Sequence, residues 1–192
     1  DGLNDVILGD LPNYKIWINN GVNGFNPFVT VTNNPPVVIS DTPVQLADMN
    51  GDGLTDIVRT FTGSNSAYNI YYNNGQVNFN PFLVAATHPN YGTPNVNVKF
   101  MDMNDDHQID VVMGDPVNGI PYKVWLNDGF SGFQASLALG NGPSVNLDNE
   151  NVVLVDLNGD GRMDILQGVV GNYQAWLNKR DSRCAKIATL ID

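Results

Sequence analysis

The sequence is poor in residues that crosslink chains, cross membranes or bind phosphate. Its 192 residues include one cysteine, Cys184, so an internal disulfide and a zinc site built from thiolates are excluded. Its apolar runs reach about five residues, far below the about 20 of a membrane-spanning helix. It has 9 Lys and Arg against 20 Asp and Glu, a net charge of −11, which argues against nucleic acid as a partner.

Residues typical of catalytic sites are also scarce. The chain has two histidines, His88 and His107, and no Ser/His/Asp set recurs or converges around them. His88 lies in a Pro- and Asn-containing segment that we expect to be a solvent-facing loop. We therefore predict that the protein is not an enzyme. A lone cysteine fits either the cytosol or a secreted bacterial protein that is stabilised by calcium instead of disulfides.

An acidic loop is repeated along the chain. Loop A (residues 48–56), loop B (residues 102–110) and loop C (residues 156–164) have Asp or Asn at positions 1, 3, 5 and 9 and begin 54 residues apart. A clipped copy, residues 1–5, opens the chain. A fixed period of this length indicates a repeat architecture. The clipped copy predicts that the chain is a fragment or a processed product.

Short strand-like segments surround each loop. An alternating segment precedes it at residues 43–47, 96–100 and 151–155, and an apolar run follows it. An aromatic segment comes next and leads through an Asn-Gly or Asp-Gly turn into a fourth element at residues 24–28, 78–82 and 132–134. Its aromatic residues should pack between neighbouring sheets: Trp17, Tyr71, Trp125 and Trp176.

Four short antiparallel strands in each repeat are typical of the blade of a β-propeller. We predict an all-β fold of about four four-stranded blades, from repeats near residues 1–42, 43–95, 96–150 and 151–178. The first repeat lacks its first strand, and the fourth should end after its third strand near Asn178. Residues 179–192 form a basic tail, either an outer strand or, the alternative we favour, the start of another domain. The chain is thus expected to be a segment of a larger propeller.

The loop pattern predicts calcium sites, about three in number. Calcium takes six to eight oxygen ligands in flexible geometry, whereas magnesium demands stricter geometry and is the second choice. Side-chain oxygens at positions 1, 3, 5 and 9 and the carbonyl at position 7 would supply the ligands. The predicted ligands are Asp48, Asn50, Asp52, Leu54 and Asp56; Asp102, Asn104, Asp106, Gln108 and Asp110; Asp156, Asn158, Asp160, Arg162 and Asp164; and, as an incomplete site, Asp1, Leu3 and Asp5.

Two alternatives bear on these loops. An EF-hand would have Glu at position 12 and a helix after the loop, but position 12 is Arg59, Met113 or Gln167 and a strand-like run follows. Asx-rich turns without metal would explain one loop but hardly three with the same pattern. Loop B should bind most weakly, because Asp105 and His107 replace the glycines of the other loops.

The Asp-x-Asn-x-Asp-Gly-x-x-Asp loops, each entering an apolar strand, resemble those of the FG-GAP/VCBS repeat family of calcium-binding propellers, which forms the integrin α-chain head. The resemblance covers about residues 1–178 and implies a propeller of about seven blades. Residues 46–58 look more narrowly like repeats of Tc-toxin B components and SpvB-type proteins, and residues 186–192 look like the segment after their propeller. This implies a secreted, extracellular protein with a role in assembly.

The leading functional hypothesis is a non-enzymatic propeller module with structural calcium ions. Its partners would be other proteins or other domains of the same parent chain. The alternative is a lectin-like propeller that binds glycans, because Tyr or Trp beside Asn can stack on sugars. Fold alone does not decide between them.

Overall fold

The computed structural model describes residues 2–62, 66–92, 95, 97–169, 172–179 and 183–190. They form four antiparallel sheets, which we call blades 1 to 4. Among these residues no helix is long and apolar enough to cross a membrane. The strands in chain order are, in blade 1, β1 (Val6–Leu8), β2 (Lys15–Trp17) and β3 (Val29–Thr30); in blade 2, β4 (Val44–Ala47), β5 (Asp56–Phe61), β6 (Ala67–Tyr71) and β7 (Leu83–Val84); in blade 3, β8 (Val98–Met101), β9 (Asp110–Asp115), β10 (Ile120–Trp125) and β11 (Leu137–Ala138); and in blade 4, β12 (Val152–Val155), β13 (Asp164–Val169), β14 (Asn172–Lys179) and β15 (Arg183–Leu190).

Each blade is a simple meander in which consecutive strands pair. The predicted all-β architecture of propeller blades is confirmed. β15 pairs along β14 from Lys179 opposite Arg183 to Tyr173 opposite Leu190. Within this structure, residues 183–190 therefore occupy the outer-strand position of blade 4, which is one of the two alternatives for the tail, whereas the repeat was expected to end near Asn178. An eight-residue strand forms there because β14 offers a long unpaired edge to it.

The outer strands of blades 1 to 3 begin later than predicted. The segments 24–28, 78–82 and 132–134 contribute single bridges, Asn19 to Phe25, Asn73 to Phe79 and Asn127 to Phe133. Regular pairing follows in β3, β7 and β11. Pro27 and Pro81 have no N–H to donate to a ladder. However, β11 begins at the equivalent position of blade 3 without a proline, so proline alone does not set the start of the outer strand.

The core lies between the blades. One buried cluster joins blades 1 and 2, a second joins blades 2 and 3, and a third joins blades 3 and 4. Tyr71, Trp125 and Trp176 are buried in these clusters as expected, whereas Trp17 is half-buried and its ring lies against Phe28.

Three further tyrosines were not singled out from the sequence. Tyr14, Tyr68 and Tyr122 are fully buried, and each hydroxyl donates to the backbone carbonyl 23 residues later. These bonds attach the strand next to the outer strand of a blade, or in blade 1 the residue just before it, to the segment that leads into the next blade. His88 stacks on Tyr68 with ring centroids 5.6 Å apart and is half-buried, so the expected solvent-facing position is wrong.

Candidate metal centres

Loops A, B and C each join the first and second strands of a blade. The residue before each loop pairs with position 9, as Ala47 does with Asp56 and Met101 with Asp110. Position 9 is therefore the first residue of the second strand, and the loop closes a hairpin. Sequence spacing alone predicted this placement.

The loops share one backbone conformation. Positions 4 and 6 have positive φ angles, 74° and 81° at Gly51 and Gly53 in loop A. Loop C is the same, at Gly159 and Gly161. Loop B takes this conformation without glycine, because Asp105 and His107 have φ angles of 65° and 67°. The left-handed region is unfavourable for residues with a side chain, so loop B is strained at two positions where its counterparts are not.

The side chain at position 1 organises each loop from inside. In loop A, Gly51 and Gly53 each donate a backbone N–H, at 2.8 Å, to a different oxygen of Asp48. The amide of Asn50 donates to Asp52 at 2.9 Å. The same bonds recur in loops B and C. These are the Asx-type turns that the sequence offered as an alternative to metal binding, and they form here together with the predicted ligand pattern.

The aspartate at position 9 accepts hydrogen bonds from two different segments of its blade. Asp56 is fully buried; one of its oxygens accepts the N–H of Met49 at 2.9 Å and the other that of Asn73 at 2.8 Å. Asp110 and Asp164 accept the corresponding pairs. Burial raises the pKa of Asp56 to about 6 and that of Asp110 to about 7, although these N–H groups act in the opposite direction. Position 9 thus ties its loop to the end of the third strand.

The predicted ligands do not all converge. Among the described residues, one group of three metal-binding side chains has its ligand atoms within 4.8 Å of one another, Asp102, Asp105 and His107. Two of these, Asp105 and His107, were not predicted ligands. The carboxylates at positions 1, 5 and 9 are thus more widely spread in this structure. In the clipped copy, Asp1 lies outside the described residues, and Asp5 accepts the N–H of Asn19 at 2.8 Å.

A basic side chain enters loop C. Arg162 occupies position 7, where its carbonyl was the predicted ligand, and its guanidinium pairs with the carboxylate of Asp160 at position 5. It also donates to the carbonyl of Asn178 at 3.4 Å. The repeat pattern did not reveal this contact, because it considered only the main chain at position 7.

The donor set nevertheless fits a hard cation. Every predicted donor is an oxygen, and a carboxylate oxygen that accepts one hydrogen bond keeps a second lone pair. The charged groups that act on Asp56 are Asp52 and Asp48, which carry the same sign. A divalent cation would relieve this repulsion.

The loops and the blades agree with a known repeat family. The FG-GAP-like repeat matches three overlapping stretches, residues 1–59, 48–113 and 102–166. The chain belongs to this family. Its FG-GAP-like repeats overlap because each match runs from one acidic loop into the next.

Two solved structures share the fold of these FG-GAP-like repeats. A lectin of Agrocybe aegerita, described as specific for non-reducing terminal N-acetylglucosamine, is 23% identical with a TM-score of 0.68, over 97% of this chain and 48% of the lectin. The Tc holotoxin pore of Photorhabdus luminescens is 20% identical with a TM-score of 0.69, over 100% of this chain and 10% of the toxin chain. The chain thus spans half or less of each. No curated protein matches it significantly.

Proposed function

We propose that loops A, B and C each bind one calcium ion and that these ions stabilise the propeller without taking part in catalysis. The observation that carries this proposal is the buried carboxylate at position 9, whose pKa the carboxylates at positions 1 and 5 raise further in loops A and B. Burying such a charge without a compensating cation is costly. The ion would be held by the side chains at positions 1, 3, 5 and 9 and by the carbonyls of Leu54, Gln108 and Arg162.

Thermal unfolding of the chain in calcium, magnesium and chelator tests this role. Calcium at about 100 times its dissociation constant adds about 2.7 kcal/mol per site. For a chain of this size, that raises the melting temperature by more than about 5 °C per filled site. Magnesium should do less. A triple variant with Asp52→Asn, Asp106→Asn and Asp160→Asn replaces one carboxylate oxygen in each loop by an amide nitrogen and should lose the calcium response. Equal melting temperatures in calcium and in chelator would refute the proposal.

The calcium-bound blades would serve protein contact or assembly. Val6 in blade 1 is 46% exposed, whereas Ile57, its counterpart in blade 2, is 1% exposed. At the opposite end, Leu157 is 40% exposed and its counterpart Met49 is 0% exposed. The inner positions are covered by a neighbouring blade, so we infer that another blade of the same repeat type covers the outer ones. The fold shared with a segment of a toxin complex supports this role and a secreted location.

Sedimentation velocity over a range of concentrations tests these end faces. Without further blades, two copies of the chain should associate end to end, and Leu157→Glu should prevent this. Val22→Glu is the control, because Val22 is highly exposed and outside both faces. A chain that stays monomeric at every concentration would contradict the inferred contact.

Glycan binding is the second candidate. A groove of about 510 Å³ between blades 1 and 2 is lined by Asn33, Asn34, Asn80, Tyr71 and Phe82, among others. Amides beside an exposed aromatic ring suit a sugar. A glycan array should then give a signal that Phe82→Ala removes. No signal on the array would argue against this candidate.

A further inference from the structure

The asparagine that ends the third-strand segment meets a second loop in blades 3 and 4, where the preceding blade has a complete loop. The copy at residues 1–5 covers positions 5 to 9 only, so the chain has no position-2 carbonyl for Asn73 to meet. In every blade its backbone N–H donates to the position-9 aspartate of its own loop. The side-chain amides of Asn19 and Asn73 donate to a carbonyl of their own loop, that of Asn4 or Thr55. Asn127 and Asn178 are buried, and their amides cross to the loop of the preceding blade.

The crossing bonds meet equivalent atoms. Asn127 donates to the carbonyl of Met49 at 2.7 Å, across 78 residues of sequence. Asn178 donates to the carbonyl of Met103 at 2.6 Å, across 75 residues. Met49 and Met103 both occupy position 2 of their loops, between two predicted calcium ligands. Their N–H groups are held by Asp56 and Asp110 of the same loops.

Together these bonds form one continuous chain through the three loops. It runs from Asp56 to Met49, across to Asn127, on to Asp110 and Met103, across again to Asn178, and ends at Asp164 and Leu157. Met49 and Met103 are each held by their own loop at the backbone N–H and by the next blade at the carbonyl. A displacement of one loop therefore strains the hydrogen bond that connects it to the next blade.

Asparagine suits this position better than its near relatives. Both amide hydrogens of Asn127 are used, one on Met49 and one on Ile109 at 3.1 Å. Its side-chain oxygen accepts the N–H of Gly129 at 3.0 Å. Aspartate has no hydrogen to donate, and serine has one. Loops A and B have a further direct contact, because Ile109 donates its N–H to the carbonyl of Asp48 at 3.0 Å.

We propose that Asn127 and Asn178 couple the three loops, so that calcium in one loop raises the calcium affinity of its neighbour. This rests on the proposed calcium function and adds a cooperative order to it. A purely electrostatic effect would have the opposite sign, because one bound cation repels the next. It would also not depend on an asparagine amide. Asn127 and Asn178 are positioning residues here, since they act through the backbone of the loops.

The test uses amide NMR of the 192-residue chain during a calcium titration. The position-6 amides of Gly53, His107 and Gly161 report the three loops separately. Asp52→Ala removes a ligand from loop A and leaves every bond of the chain between loops intact. It should lower the calcium affinity of loop B about fivefold. With Asn127→Ala also present, Asp52→Ala should change that affinity less than about twofold.

Asn73→Ala is the matched control. It removes the same residue type from the same place in blade 2, where the amide stays within its own loop, so the fivefold effect on loop B should persist. Asn178→Ala should uncouple loop C and leave loops A and B coupled. In chelator, Asn127→Ala should speed hydrogen exchange at residue 50 of the preceding blade about fivefold, a measurement that also shows whether the variant folds.

The outcomes separate the two proposals. A flat calcium titration of the unaltered chain overturns the calcium function and the coupling with it. Suppose that three ions bind and that Asp52→Ala lowers the calcium affinity of loop B equally in the Asn127→Ala and Asn73→Ala backgrounds. The calcium function then stands and the coupling is overturned. If Asn127→Ala does not fold, the Asn178→Ala result for loop C decides in the same way.

Discussion

Loop A and loop B share the hydrogen bonds that positions 1 and 9 accept within the loop, but they differ in residues. In loop A the positive φ angles fall on Gly51 and Gly53, and in loop B they fall on Asp105 and His107. Loop C has the glycines of loop A, but its Arg162 pairs with Asp160. The three loops thus share one backbone conformation, but they differ in backbone strain and in internal ion pairing. Loop A has neither the strain of loop B nor the internal cation of loop C.

This difference distinguishes two groups of residues: those whose hydrogen bonds fix the loop conformation, which we call the scaffold, and those that affect how the ligands reach a cation. The bonds of positions 1 and 9 define the loop conformation in all three copies. The residues at positions 4, 6 and 7 adjust how easily the conformation forms and how freely the carboxylates can reach a cation. From this we expect loop A to bind calcium most tightly.

The largest effect should come from removing the common scaffold. Asp56→Ala and Asp110→Ala each leave two backbone N–H groups without their acceptor, which should cost about 3 kcal/mol of unfolding free energy in chelator. Because the bonds are the same, the two losses should agree. Urea denaturation measures both, with Asp110→Asn as a milder control that keeps one acceptor oxygen. A loss at one loop only would show that the scaffolds are not equivalent.

A smaller effect should come from exchanging the residues at position 6. His107→Gly should stabilise the chain by about 1 kcal/mol, and Gly53→His should destabilise it by about as much, because only glycine takes a positive φ angle freely. Gly140→His is the matched control: Gly140 has as much open space as Gly53 but no positive φ angle, so its replacement should change little. A loss at Gly140 as large as that at Gly53 would mean that strain is not the cause.

The smallest effect should come from Arg162. Arg162→Leu gives loop C the position-7 residue of loop A and frees Asp160, so its calcium dissociation constant should fall about threefold, as expected for losing a partly exposed ion pair. Calorimetric calcium titration measures this. Lys123→Leu removes a positive charge outside the loops and should leave loop C unchanged. An equal gain from both variants would point to net charge instead of the Arg162 contact.

Much of the architecture could be predicted from local pattern. The three loops, the strands on either side of them and the buried aromatics Tyr71, Trp125 and Trp176 all follow from periodicity and turn residues. These features depend on neighbours a few residues away. The outer strands were placed too early, because each predicted segment pairs through a single bridge before the regular ladder begins.

Contacts across blades could not be predicted in the same way. The sequence pattern indicated no special role for Asn127, although its amide binds a carbonyl 78 residues earlier. The half-burial of His88 depends on Tyr68 lying against it. The pairing of Arg162 with Asp160 is local, but it depends on which rotamer the packed loop allows. The spacing of a repeat predicts that consecutive blades are neighbours. It does not predict which of their atoms come into contact.

The sequence by itself determined the repeat, its strands and the oxygen-rich loops, because turn chemistry and alternation act over short stretches of chain. Only the tertiary structure decided which of these residues are buried, how β15 pairs, and that the loops join into one hydrogen-bonded chain through Asn127 and Asn178. The physical reason is that burial and hydrogen-bond partners depend on the packing of one blade on the next, and residues far apart in the sequence meet only there.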